Sequence, residues 1–272
     1  MPESEGENGS QTVDVHLRST FQKSVDEGRA RLDRSWLDLI STGLVGGIDV
    51  SLGVLALLVV EEATGSAMLG SLAFTIGFIA LTLGKSELFT ENFLVPVAAV
   101  VARKASVASL FRLWIGTAVM NLVAGWLFAW ILVLGLPRIH ETAIEVGAFY
   151  PAKDDPQLFG LGVLAGVAIT LMTWMEHGAK SEFGKLVSVA TVAFLLAAGP
   201  LNHIIVVSIE MFVAIETGSA GYGYAEWARV AGWATLSNTV GGLVLVTSLR
   251  FAQVGKEAIR EERARDPEEP RE

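Results

Sequence analysis

Cysteine is absent from the 272 residues, so disulfides and thiolate metal sites are excluded and the redox compartment leaves no trace in the chain. Charge is scarce as well. Asp, Glu, Lys and Arg make up 18% of the chain against 51% hydrophobic residues, and the mean hydropathy is +0.49. A soluble domain of this length is seldom so apolar. No basic tract argues for nucleic acid as a partner. Neither a metal-ligand cluster, a nucleophile triad nor a phosphate loop is found, and the tails are too short for a catalytic domain, so no enzyme activity, metal or cofactor is expected. The first 30 residues are polar, and no cleavable signal peptide is read there. The dipeptide Asn-Pro does not occur, which speaks against the Asn-Pro-Ala half-helices of aquaporin-type water and glycerol channels.

What remains is a chain organised by long apolar runs. The charge collects in residues 1–35 and 253–272, and the net charge of −9 comes largely from tails such as Glu261-Glu262 and Glu268-Glu269. A spanning helix needs about 20 apolar residues. Six stretches meet that need: residues 36–60, 67–101, 110–135, 158–175, 186–215 and 227–251. The second and fifth are too long for one simple span and are interrupted. One carries Gly84-Lys85-Ser86-Glu87 and then Pro96; the other carries Gly199-Pro200-Leu201-Asn202-His203. Lys and Arg accumulate in the N-terminal flank, after the second and fourth spans and in the C-terminal tail, whereas the opposite side offers Arg138, Lys153 and Arg229. This asymmetry predicts cytoplasmic termini in a multi-pass membrane protein.

The halves repeat. At an offset of 117–119 residues, Gly43–Gly47 falls on Gly162–Gly166, Glu91-Asn92-Phe93 on Glu210-Met211-Phe212, and Arg112, Asn121 and Gly125 on Arg229, Asn238 and Gly242. Three spans per repeat would force the halves into opposite orientations. The expected fold is therefore an all-α membrane protein of six helices in two inverted three-helix repeats, of aquaporin-like architecture, with broken second and fifth helices near the midplane. Broken backbone at that depth survives only where protein or a water-filled cavity satisfies its polar groups. Residues 84–92 and 199–203 are thus expected to line a pathway within a transmembrane domain of residues 36–252. Residues 12–35 suit either a surface helix or an ordinary polar tail.

At these residues the chain resembles the formate/nitrite transporter family. Ser86-Glu87-Leu88-Phe89-Thr90 is similar to that family's Asp/Glu-Leu-Phe-Thr loop, and Gly199-Pro200-Leu201-Asn202-His203 stands where the family has Gly-Phe-Glu-His. Asn238-Thr239-Val240-Gly241-Gly242 resembles its Asn-x-x-Gly-Gly, and Trp174-Met175 the end of its fourth span. The departures mark a divergent branch: Lys85 where Gly is usual, Glu91 where Gly or Ser follows the Thr, Gly166 and Val207 where Asn is usual. The resemblance implies a homopentamer in the lipid bilayer of a bacterial-type inner membrane, with one pore per protomer passing a small monovalent anion or its conjugate acid. It also implies that His203 is a central pore histidine facing Thr90, with Leu88 and Phe89 forming an apolar constriction.

Read on their own terms, the same residues allow structural roles. His203 is an ionisable group deep in a span, where a charge is costly, and its pKa is movable across the physiological range. It equally suits a neutral imidazole bonded to freed backbone carbonyls. Thr90 can donate and accept one hydrogen bond each or cap a half-helix. Lys85 near the pathway would raise the local anion concentration. Glu87 suits an ion pair with Lys85 fixing the loop, and Asn121 and Asn238 suit hydrogen bonds that hold the broken helices. Glu91 and Glu210 carry no assigned role. The resulting expectation is a channel or transporter for formate- or nitrite-like anions, proton-linked through His203. The rivals are an aquaporin-type channel for neutral solutes and a non-transport membrane scaffold.

Overall fold

A computed structural model describes residues 4–265, with side chains from residue 15 onward, so Glu268-Glu269 and the rest of residues 266–272 lie outside the described residues. The described chain is helical almost throughout. It runs α1 (Ser4–Leu32), α2 (Trp36–Thr64), α3 (Ala67–Gly84), a 3₁₀ turn (Phe89–Phe93), α4 (Val95–Val101), α5 (Val107–Gly135) and α6 (His140–Ala148). It continues with α7 (Asp155–Gly178), α8 (Glu182–Ala198), α9 (Ile204–Glu216), α10 (Tyr224–Thr239), a π-helical segment (Val240–Thr247), α11 (Ser248–Val254) and α12 (Lys256–Ala264). Among the described residues five helices are long and apolar enough to cross a membrane: α2, α3, α5, α7 and the composite Tyr224–Val254. The fifth apolar run is divided between α8, of 17 residues, and α9, of 13. Where the sequence suggested one helix over residues 227–251, a π-helical segment interrupts it.

The boundaries have local causes. Ser35, Ser66, Ser106, Asp154 and Ser181 each accept a hydrogen bond from the amide three residues on. Each thereby satisfies one of the donors that a helix start leaves unpaired. Pro96 sits in the first turn of α4, where its missing N–H costs nothing. α3 stops because Lys85 turns left-handed, at φ 53° and ψ 35°. That backbone conformation explains why glycine suits this position better than lysine.

α2 packs on α3 and α5, and α7 packs on α8, α10 and the π segment, while α3 meets α8 and α5 meets α9 across the two halves. Close approach needs glycine at Gly47 and Gly166. A Cβ at Gly47 would strike the Asn121 backbone carbonyl, and a Cβ at Gly166 would strike the Asn238 carbonyl. The two contacts are counterparts in the repeat register. α1 is no loose tail: Phe21 and Val25 are buried with Val95, Ala98, Trp174 and Phe251. α12 closes over the same end, where Arg265 pairs with Asp26 and Glu262.

Candidate functional site: two broken helices meeting at Thr90 and His203

Each break is held by an asparagine. Asn121 Oδ1 accepts from the Phe89 amide at 2.9 Å, and its Nδ2 donates to Gly43 O at 2.7 Å and Glu87 O at 3.0 Å. Asn238 Oδ1 accepts from the Ile204 amide at 3.0 Å, and its Nδ2 donates to Gly162 O and Asn202 O, both at 2.9 Å. One carboxamide thus ties a loop carbonyl, a loop amide and a carbonyl of the half's first helix, in the same pattern twice. Arg112 and Arg229 match as well. Arg112 donates to Leu32 O and Arg34 O, just before α2, and Arg229 to Pro151 O and Lys153 O, just before α7.

Between the breaks, His203 Nε2 lies 2.7 Å from Thr90 Oγ1, and both residues are 0% exposed. His203 is also the N-cap of α9, its Nδ1 accepting from the Val206 amide at 3.4 Å. A nitrogen that accepts cannot carry the proton, so this network assigns the proton of the neutral ring to Nε2. Nε2–H then donates to Thr90, and the Thr90 hydroxyl keeps its own proton free to donate. The bonds to freed carbonyls considered from sequence are not what the imidazole makes: its backbone partner is a freed amide. Thr90 likewise bonds His203 instead of capping a helix. Leu88 and Phe89 are buried beside the pair, with Phe89 edge-on to Phe93 at 5.0 Å and Phe78 edge-on to His203 at 6.4 Å.

A cavity of about 860 Å³ opens between α1, α3 and α7 and ends against Ser86, Glu87 and Glu91. Its walls carry Lys23, Arg31, Arg34, Lys85 and Lys185 against Asp26, Glu27, Glu87, Glu91, Glu176 and Glu182. Five cations face six carboxylates and the charges nearly cancel, so the expected concentration of anions by Lys85 is offset by the surrounding acids. Lys85 is exposed on the cavity rim. The pairing of Glu87 with Lys85 is corrected. Glu87, 3% exposed in its side chain, pairs with Arg34 at 2.5 Å and Arg31 at 3.0 Å. A buried carboxylate needs a partner whose geometry is fixed, and the C-terminal end of α1 and the connection after it supply two guanidinium groups, Arg31 and Arg34, while Lys85 is exposed.

Sequence reasoning missed that α1 completes the site. Arg31 also donates to Asn92 Oδ1 at 3.1 Å and pairs with Glu27, whose other oxygen meets His177 Nε2 at 2.9 Å. Burial works against the Glu27 charge, but the His177 hydrogen bond and Arg31 outweigh it and hold this carboxyl below the usual range. Burial likewise opposes the Arg31 charge, yet Glu87 and Glu27 raise its pKa above the ordinary guanidinium value. Only the density of Arg in residues 18–34 hinted at this, since nothing in local spacing links Arg31 to Glu87.

Two helices broken at buried polar loops, each laced by an asparagine, define a membrane transport protein built on a discontinuous-helix scaffold. The comparisons agree. The family model described as formate/nitrite transporter matches residues 18–252, and the chain belongs to that family of channels and transporters, which are not enzymes. The chain is 25% identical over 239 residues to the inner membrane protein YfdC of Escherichia coli K12, covering 84% of this chain and 76% of the relative. It is 23% identical to the formate channel BtFdhC of Bacillus thuringiensis, covering 84% and 91%. In fold it is similar to a solved FNT family ion channel, with a TM-score of 0.77 at 18% identity over 86% of this chain and 98% of that one. A pentameric formate channel with formate bound gives 0.66 at 20% identity over 80% and 97%.

Proposed function

We propose that this protein is a proton-linked channel for a small monovalent anion of the formate or nitrite kind, with the Thr90–His203 contact as its central filter. The observation that carries this reading is that contact itself. A titratable imidazole and a hydroxyl with a free proton meet at 2.7 Å, wholly buried, where two broken helices face each other. An anion at this point would accept the Thr90 O–H, with His203 Nε2–H reinforcing the hydroxyl from behind. Leu88 and Phe89 make an apolar approach that disfavours a bare charge, so passage is easiest as the neutral acid. Asn121, Asn238 and Glu87 keep the loops in place, and Lys85 stands at the mouth.

In this reading the chain forms six spans as two inverted repeats, α8 and α9 together making the fifth. It assembles as a homopentamer in a bacterial-type inner membrane, and the face bearing α1 and α12 lies in the cytoplasm. Support comes from the duplicated Asn and Arg bonding, from the Lys/Arg distribution, and from relatives described as formate channels. One observation favours a neutral-solute channel instead, namely the near balance of charge in the cavity. Proteoliposome flux decides between them. Formate or nitrite uptake that rises with an inward proton gradient is expected. Water or glycerol permeation by stopped-flow scattering, without any anion flux, overturns the proposal.

A further inference from the structure

The end of the molecule away from α1 holds a group the filter does not use. Glu210 lies on α9, 4% exposed, and its Oε2 has no hydrogen-bond partner. Positions 203 and 210 are seven residues apart, so they share one face of the helix and are separated by about two turns, roughly 10 Å. α9 thus leads from the Thr90–His203 contact to Glu210 and on to the loop at Thr217.

The groups that act on Glu210 are a carboxyl and a hydroxyl, with no cation among them. Glu61 of α2 acts on it electrostatically, and Glu145 of α6 acts in turn on Glu61. The Tyr150 hydroxyl, in the segment after α6, is in hydrogen-bonding reach, and Tyr222, before α10, presents a hydroxyl that has no partner. α5 carries no Asp, Glu, Lys or Arg beyond Arg112, and the Glu226 and Arg229 of α10 are engaged with each other at 2.6 Å. Among the described residues no ion pair reaches Glu61, Glu145 or Glu210, whereas the carboxylates Glu27 and Glu87 at the α1 end are matched by arginine. No group of three metal-ligating side chains is found among the described residues either. A buried carboxylate oxygen without donors is costly as an ion. The species that fits here is the carboxylic acid.

We propose that Glu210 is the proton-loading site at this end of the pathway, giving its proton to the incoming anion before that anion reaches Thr90 and His203. The step balances. The Glu210 O–H bond breaks as an O–H bond forms on the anion, which continues as the neutral acid, while Glu210 is left as a carboxylate. Glu61, nearer the surface, then passes it a proton from hydronium in the adjoining water. This deepens the channel reading above and rests on it.

The test is formate flux into proteoliposomes across a series of bath pH values, for wild type, Glu210→Gln, Glu210→Asp and Glu61→Gln, normalised to folded protein. Glu210→Gln keeps the side-chain shape but cannot give up a proton. Its flux at neutral pH is expected to fall about tenfold or more, in line with the worth of a positioned acid, and its pH profile to flatten. Glu210→Asp should regain part of the slope, and Glu61→Gln should slow recharging and move the profile toward acid pH. Infrared difference spectra of the wild type should show a protonated-carboxyl band that responds to formate and is missing in Glu210→Gln. A Glu210→Gln protein with wild-type flux and slope overturns the proposal while leaving the channel standing. If that variant does not fold, a wild-type spectrum without the formate-responsive band, together with an unshifted Glu61→Gln profile, overturns it. A wild type that moves no formate overturns both readings at once.

Discussion

His203 does two jobs with two nitrogens, and they are separable by substitution. Asn is a good N-cap but does not titrate. His203→Asn is therefore expected to hold stability within about 1 kcal/mol of wild type while changing the pH dependence of flux. His203→Ala loses the cap as well and should cost about 1 kcal/mol more. Thermal unfolding in detergent read beside proteoliposome flux checks both, and a folded His203→Asn whose flux tracks pH as the wild type does removes His203 from the filter. Lys85 is a second residue with two separable properties, a left-handed backbone at φ 53° and a charge on the cavity rim. Lys85→Gly relieves the backbone and is expected to stabilise the protein by about 1 kcal/mol. Lys85→Ala keeps the strain and removes the charge. If the charge matters for permeation, both variants should alter flux equally despite their different effects on stability.

At the scale of elements, the breaks in the second and fifth apolar runs stand because something pays their hydrogen-bond debt. Asn121→Ala strands the Phe89 amide and the Glu87 carbonyl, and a cost of about 2–3 kcal/mol is expected. Asn238→Ala should cost about the same, since its bonds to Ile204 and Asn202 repeat the pattern. Chemical or thermal denaturation of the pair checks this, and a large difference between them would count against equivalent roles. α1 is tied down differently, through Glu27, Arg31 and His177. The Glu27 pKa is held below its unfolded value of 4.5, so its stabilising contribution is complete above that pH and fades as pH falls below it. The side chain is 46% exposed, and solvent screening limits the contribution to about 1 kcal/mol. Glu27→Gln should therefore lower the melting temperature at pH 7 and lower it by less at pH 3, where part of the contribution has already faded.

For the whole molecule, the expected topology puts α1 and α12 in the cytoplasm. A reporter fused after residue 272 should be active only if it works in the cytosol, and an active periplasmic reporter would reverse the orientation. Native mass spectrometry in mild detergent should show pentamers. Monomers alone would count against the proposed assembly. The face of α5 presents Ile115, Trp126, Trp130 and Ile131 uncovered in the single chain, surface that lipid or neighbouring protomers must cover.

The sequence by itself determined that this is a multi-pass membrane protein, where its apolar runs lie and where two of them break. Those properties are local: run length against bilayer thickness, and Gly, Pro and polar residues inside apolar stretches. It also showed the internal repeat, because equivalent packing positions demand equivalent small or amide side chains, as at Gly47 and Gly166 or Asn121 and Asn238. Only the tertiary structure decided which side chains meet. Thr90 and His203 are 113 residues apart, and their facing was implied by the family resemblance, not by their spacing; Glu87 finds Arg31 and Arg34 in a segment that the sequence left open between a surface helix and a polar tail. Lys85, the nearer cation in sequence, is exposed on the cavity rim instead. Pairing across such distances depends on how helices pack, and helix packing is set by many weak contacts spread over the chain, which no short motif records.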